Sequence, residues 1–180
     1  MSTVTVFNVP KERLTQEFED LFREHYPLVY RSAFSVIFNA EDAEDVVQTV
    51  FLRILRNGLP SGVQNPKGYL YRAAVNEALN IVRSRRNVLN ANRFTPEPIA
   101  NVDKPEHESA MSARIAEAMA HLHPAAVEML VLRYEHHYSD AEIGKLLGKS
   151  RGVVAVTLYR ARARLKKLLS ASPAPKEEKP

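Results

Sequence analysis

The sequence predicts an all-α protein, two small helical domains joined by a flexible linker. Three observations lead there. Apolar residues recur at three- and four-residue steps through most of the chain, the spacing of one helix face. Strand-like alternation is confined to VTVFNV at residues 4–9. Residues 87–110, NVLNANRFTPEPIANVDKPEHESA, hold three prolines and follow no period, so the helical pattern breaks there and then resumes. With 180 residues, 45% apolar and 26% charged, the chain has room for two modest cores and the composition of a folded protein.

Residues 1–13 read as an N-terminal extension and 14–86 as the first domain, a bundle of three or four helices. Phe18, Leu21, Phe22, Tyr26, Val29, Tyr30, Ala33 and Ile37 mark one face over 14–38, where Pro27 either starts a second turn of helix or kinks the first. EDAEDVVQTVFLRILR at 41–56 places Val46, Val47, Val50, Phe51, Ile54 and Leu55 on an apolar stripe. The polar face opposite carries Asp45, Gln48, Thr49 and Arg53. Glu41 to Asp45 open this helix, where acids suit the dipole. NGLPSGVQNP at 57–66 stops it with Gly and Pro, and Pro66 opens a third helix that ends in the basic RSRR of 83–86.

The linker covers 87–110, and the second domain covers 111–169 with helices near 111–121, 124–136, 139–147 and 150–169. The polar, Pro-rich 170–180 reads as a disordered tail. Ser139 and Glu142 fit a capping box, in which the hydroxyl satisfies an orphan amide and the glutamate reaches back. Gly148 stands where a helix closes on a left-handed residue, and Ser150 can begin the next. Val154, Leu158, Ala161, Leu165 and Leu168 then fix an inward face. Gly152, Ala155, Val156, Tyr159, Arg160, Ala163 and Lys167 lie opposite, the arrangement of a helix-turn-helix whose second helix enters a major groove.

Charge is distributed unevenly. Residues 1–86 hold 11 Lys/Arg against 10 Asp/Glu, whereas 111–169 hold 10 against 5. Between 149 and 167 stand Lys149, Arg151, Arg160, Arg162, Arg164, Lys166 and Lys167 with no acid. Such a run favours a polyanion through counterion release, and a solvated basic helix end explains it equally well on charge alone.

Several classes are excluded or disfavoured. Without Cys there is no disulfide framework, thiol chemistry or Cys-ligated zinc. His121 with His123, and His136 with His137, lack the four-residue step of a helical metal pair. No phosphate loop, nucleophile elbow or kinase signature occurs. No catalytic residue, metal or cofactor is therefore expected. MSTVTVFNVPKERL has no signal-peptide pattern and no apolar run nears the roughly 20 residues of a membrane span, so a cytoplasmic protein without membrane insertion is expected.

From Tyr138 to Leu169 the chain resembles the C-terminal domain of extracytoplasmic-function (ECF) sigma factors, the small initiation subunits of bacterial RNA polymerase. The shared features are Glu142-Ile143, Gly148, Ser150, Val154, Leu158, Arg160-Ala161-Arg162 and Leu165. Glu41 to Gln48 with Phe51-Leu52 resembles the family's polymerase-binding helix, and Tyr69 to Asn76 with Asn80 and Arg83 to Arg86 its promoter-melting helix. The resemblance runs over about 17–169 in order and spacing.

It implies a sigma factor, with no catalytic activity of its own, that binds core polymerase at the clamp and flap, reads −10 and −35 promoter elements and helps melt DNA. Asp45, Gln48, Thr49 and Arg53 would dock on the clamp of the largest subunit. Tyr69, Arg72, Asn76, Asn80, Arg83, Arg85 and Arg86 would serve the −10 element by stacking, base-edge and phosphate contacts, and loop 57–65 would line a pocket for a flipped base. Without the resemblance, Tyr69 suits a core and Asn76 a satisfied buried amide. Ser150, Arg151, Gly152, Ala155, Val156, Tyr159, Arg160, Arg162 and Lys166 would meet the −35 element. Here the chain departs from its relatives. Ala155, Val156 and Thr157 stand where the family tends to place Lys, Ser and Arg, which leaves apolar contact with thymine methyls for Ala155 or Val156. The acidic linker would thread the polymerase channel or act as a solvated tether, and an anti-sigma factor is a further expected partner. The alternative is a stand-alone helix-turn-helix regulator whose first domain senses or dimerises.

Overall fold

The computed structural model describes residues 11–91 and 106–171. The VTVFNV segment, most of the N-terminal extension, the middle of the linker at 92–105 and the tail beyond 171 lie outside these described residues. Among the described residues there are seven helices and no strands.

The first three helices are α1 (Lys11–Ile37), α2 (Ala40–Asn57) and α3 (Pro66–Ala91). They form a three-helix body in which each packs on the other two. Pro27 does not divide α1; it sits inside one continuous helix on its exposed side. Asn39 begins α2 by accepting from the Asp42 amide, and Gly58, at φ +71°, closes it. Val46, Val47, Val50, Phe51 and Ile54 are buried, as their spacing predicts. Leu55 is not: it is 56% exposed, because it lies at the stripe's edge, turned about 100° from Ile54. Phe22 packs edge-on to Phe51 at 4.7 Å between ring centres, and the Tyr26 hydroxyl donates to Glu44 at 2.7 Å, so α1 is pinned to α2 by aromatic and polar contacts together.

The remaining four are α4 (Glu106–Ala120), α5 (Pro124–Tyr134), α6 (Asp140–Leu147) and α7 (Arg151–Ala171). His123 begins α5 by accepting from the Ala125 amide, a capping role for one of the histidines. The capping box of Ser139 and Glu142 is present, and Gly148 ends α6 at φ +66°, a left-handed turn that costs glycine nothing. Ser150 Oγ accepts from the Val153 amide and starts α7. Val154, Leu158 and Ala161 are buried against the neighbouring helices, while Leu165 and Leu168 are half-buried.

The two bodies share one apolar core. α3 packs on α4, α5 and α6, and α1 packs on α4 and α5. Tyr71 of α3 is fully buried at this junction and its hydroxyl donates to the Glu128 carbonyl of α5. Ser32 of α1, also without exposure, shares a 2.9 Å hydrogen bond with His136 Nε2. Arg31 forms a 2.9 Å ion pair with Glu135. The sequence predicts two small helical domains joined by a linker, and in the structure the two pack on each other through α1 and α3.

Candidate nucleic-acid interface

Three helix faces carry the predicted residues, and the structure treats each differently. On α2, Asp45, Gln48, Thr49 and Arg53 are all exposed along one side. Arg53 reaches Glu77 of α3 at 3.4 Å, a surface pair of small energetic weight. Leu52 (46% exposed) and Leu55 share this surface and were not predicted as part of it. Their signal was available, since Leu52 is four residues from Gln48, but an apolar residue in an amphipathic helix reads as core by default.

On α3, the stripe Arg72, Asn76 and Arg83 turns toward the second body. Arg72 donates to the Leu147 carbonyl at 2.9 Å, at the last residue of α6. Arg83 donates through Nε to the Ala120 carbonyl at 3.2 Å and through a terminal nitrogen to the Leu122 carbonyl at 3.1 Å, where α4 ends. Arg86 lies 3.1 Å from the His121 ring nitrogens. Glu128 of α5 is buried, and burial pushes its carboxyl above the usual carboxylate range, opposed by the charge of Arg72 and a hydrogen bond from Asn76. Tyr69 is half-buried, with its ring against the core, and Asn80 is exposed. Arg85 points the other way and pairs with Asp42 of α2. The seven residues predicted for the −10 element are thus split: Arg72, Asn76, Arg83 and Arg86 meet the second body, and Arg85 meets α2.

On α7 the outward face is open. Gly152, Ala155, Val156, Tyr159, Arg160, Ala163 and Lys167 are exposed, as are Arg151, Arg162 and Lys166. Ser150 is exposed too, its hydroxyl accepting the Val153 amide proton at the helix start. Val153 (50% exposed), Val156 (49%) and Tyr159 (69%) form a ridge at three-residue steps, and a side chain added at Gly152 would meet nothing. Val153 was missed because only its neighbour Val154 fits the inward period. Basic side chains flank this ridge at both ends, the electrostatic setting of a duplex-binding helix.

An apolar groove of about 740 Å³ runs between the bodies, lined by Phe38, Met111, Ile115, Met119, Tyr134 and Leu165, with Arg162 and Lys166 at its lip.

Two family models match the chain, one in each body. Residues 21–88 match the family described as Sigma-70 region 2, and residues 112–165 match Sigma-70, region 4. RNA polymerase sigma factor CarQ of Myxococcus xanthus is 30% identical, over 84% of this chain and 88% of its own length. The chain belongs to the ECF group of sigma-70 factors. The ECF RNA polymerase sigma factor SigE of Mycolicibacterium smegmatis is 31% identical over 84% of this chain, which spans 61% of that longer protein. Among solved structures, RpoE of Bartonella quintana in complex with the anti-sigma factor NepR has a TM-score of 0.51 at 22% identity, covering 88% of this chain and 99% of that one. CnrH in complex with the cytosolic domain of CnrY also scores 0.51, at 24% identity over 88% and 91%. These two share the fold. The sigma-factor reading of the sequence is therefore the right one, and the stand-alone regulator is not favoured. Region 2 of this sigma factor falls in α1–α3 and region 4 in α4–α7.

Proposed function

We propose that this sigma factor divides its work among the three faces. The exposed side of α2, through Asp45, Gln48, Thr49 and Arg53 with Leu52 as an apolar centre, docks on the clamp of the polymerase largest subunit. The α3 face and loop 57–65 take the −10 element, Tyr69 and Asn80 handling an unpaired base and Arg72, Arg83, Arg85 and Arg86 its phosphates. The outward face of α7 enters the −35 major groove, Arg151, Arg160, Arg162 and Lys166 holding the backbone and the Val153–Val156 ridge meeting the bases. Region 2 function is assigned to 14–86, a connecting role to 87–110 and region 4 function to 111–169. The factor works in the cytoplasm beside polymerase, has no catalytic activity of its own and needs no cofactor. An inhibitor of the anti-sigma class is the partner assigned to the apolar groove, whose basic lip suits an amphipathic helix with an acidic edge.

The observation that supports this most directly is the open α7 face, with basic residues around an apolar ridge and no partner among the described residues to explain it. The test is in vitro transcription with purified core polymerase on a promoter library. Defined start sites that disappear with Asp45→Ala plus Gln48→Ala, while the circular dichroism of the variant is unchanged, are expected. Start sites indifferent to those changes refute the docking assignment.

A further inference from the structure

Away from the three faces, a cleft of about 290 Å³ opens where the two bodies meet, lined among others by Glu24, His25 and Arg31 of α1, Lys67 of α3 and His136 beyond α5. None of the residues proposed for polymerase or promoter lines it. His25 is 7% exposed, yet its ring makes no hydrogen bond among the described residues; the nearest carboxylate oxygen, on Glu24, stands 3.9 Å from Nε2. A buried polar group in that state calls for a partner from outside the chain. Lys67 has no carboxylate partner among the described residues either, and its ammonium lies 5.5 Å from the centre of the Tyr138 ring. Its neighbour Gly68 brings it there. A Cβ added at Gly68 would lie 2.9 Å from the Leu146 carbonyl oxygen, so only glycine lets the first turn of α3 approach the end of α6 this closely. Arg31 gives Nε and Nη2 to Glu135 and keeps Nη1 uncommitted. Ser32 Oγ donates to the Leu28 carbonyl at 2.6 Å, so it accepts from His136 at 2.9 Å, which fixes that ring's proton on Nε2.

The uncommitted groups are thus donors and cations. Glu24 is the one carboxylate among the lining residues, and its side chain is 75% exposed; Glu135 is already held by Arg31. We propose that this cleft binds a phosphate-type dianion, either free phosphate or the phosphoryl group of a small metabolite, on Lys67, Arg31 and His25 with His136 at its edge. Such a ligand offers several acceptor oxygens and needs no donor in return, which matches an ammonium, a guanidinium and a ring N–H. The volume lies at the small end of ligand pockets. Because α1, α3 and the segment after α5 all contribute, the bound anion bridges the two bodies. It also relieves a crowding of like charge: burial holds the His136 imidazole below its ordinary value, and Arg31, Lys67 and His137 push it further down against Glu135 alone.

The test is a titration of the full-length chain, with nitrogen-15 in its histidine rings, by inorganic phosphate at an ionic strength held constant with chloride. The ring signals of His25 and His136 should shift and saturate. His136 should also titrate at a higher pH in phosphate than in chloride, because the bound charge offsets Arg31 and Lys67; Glu24, Glu135, His25 and His137 face the ring equally in both salts. Lys67→Gln, at an exposed position where the fold is spared, should weaken binding about tenfold, the share of one charge-assisted hydrogen bond. His25→Gln should weaken it similarly, and Lys145→Gln, an exposed lysine that does not line the cleft, should leave it unchanged. Glycerol 3-phosphate is the second probe. Tighter binding than inorganic phosphate assigns the cleft to a phosphorylated metabolite, and equal binding assigns it to the free ion. Ring signals that follow ionic strength alone, or equal affinity in the parent and Lys67→Gln, overturn the proposal.

Discussion

The two faces proposed for DNA in this sigma factor are built from different chemistry, and the fold treats them differently. The α3 face is rich in arginine, and in the closed chain its guanidinium groups find backbone acceptors at the ends of α4 and α6. The α7 face between Gly152 and Val156 is small and apolar, and none of the described residues covers it. A long cationic side chain can always be satisfied internally if a helix end lies within reach, whereas a short apolar ridge on an exposed helix has nothing to donate. One surface therefore depends on the position of the other body, and the other is open among the described residues. The largest experimental effects should therefore differ between the faces.

The largest effect is expected on the open face. Arg160→Ala combined with Arg162→Ala removes two of the proposed phosphate contacts, each about 1.5 kcal/mol, so affinity for duplex promoter DNA should fall about a hundredfold. Fluorescence anisotropy over a salt series checks this, and the slope of affinity against salt should decrease by about two counterions. The fold should be unaffected, because both side chains are exposed. An unchanged slope would mean that the basic run is merely solvated.

The same class of substitution on the conditional face should act on stability instead. Arg83→Ala leaves the Ala120 and Leu122 carbonyls without their donor and should cost about 2 kcal/mol in urea unfolding. Arg160→Ala, with no such partner, should stay within about 0.5 kcal/mol. Equal costs at the two positions would erase the contrast between the faces.

A smaller effect sharpens what the open face reads. Replacing thymine by deoxyuridine in the −35 element removes only the 5-methyl group. If the Val153–Val156 ridge packs on such methyls, each loss should cost about 0.8 kcal/mol, roughly a fourfold drop in affinity. Val153→Ala or Val156→Ala should reduce that difference, and a promoter indifferent to the change would assign sequence reading to DNA shape instead.

Most of the helices, and the orientation of α7, were legible from local signals. The capping box at Ser139, the left-handed Gly148 and the inward spacing of Val154, Leu158 and Ala161 are all encoded within a few residues of one another. The junction was not legible. Tyr71 meets Glu128 across 57 residues of chain, and Ser32 meets His136 across 104. Such pairings leave no periodicity, and Ser32 or Glu128 in a helix reads as surface. Arg72 and Arg83 are expected at the −10 element, and nothing near them in the sequence signals the carbonyls they meet in the closed chain. Gly68 shows the same blindness: nothing local distinguishes a glycine kept for a close approach from one tolerated near a helix start.

The smallest expected effect is on closure itself, through pH. His136 sits at the junction against Ser32 and Tyr71, and burial holds its imidazole below the ordinary histidine value, with Arg31, Lys67 and His137 adding to that and Glu135 opposing it. The closed form therefore favours the neutral ring. Its contribution is fully present above the ordinary value of about 6.5 and is lost as pH falls through the lowered one. Glu128 works the other way, because its raised pKa makes the closed form hold a proton more readily, which strengthens closure as the solution is acidified into the carboxylate range. The two windows are separable by substitution. Between neutral pH and about one unit below 6.5, the distance between dyes placed on Arg56→Cys and Ala163→Cys, two exposed positions in a chain without other cysteines, should lengthen in the parent and in Glu128→Gln, and stay constant in His136→Gln. A distance that lengthens equally in His136→Gln would place the sensitive group elsewhere at the junction.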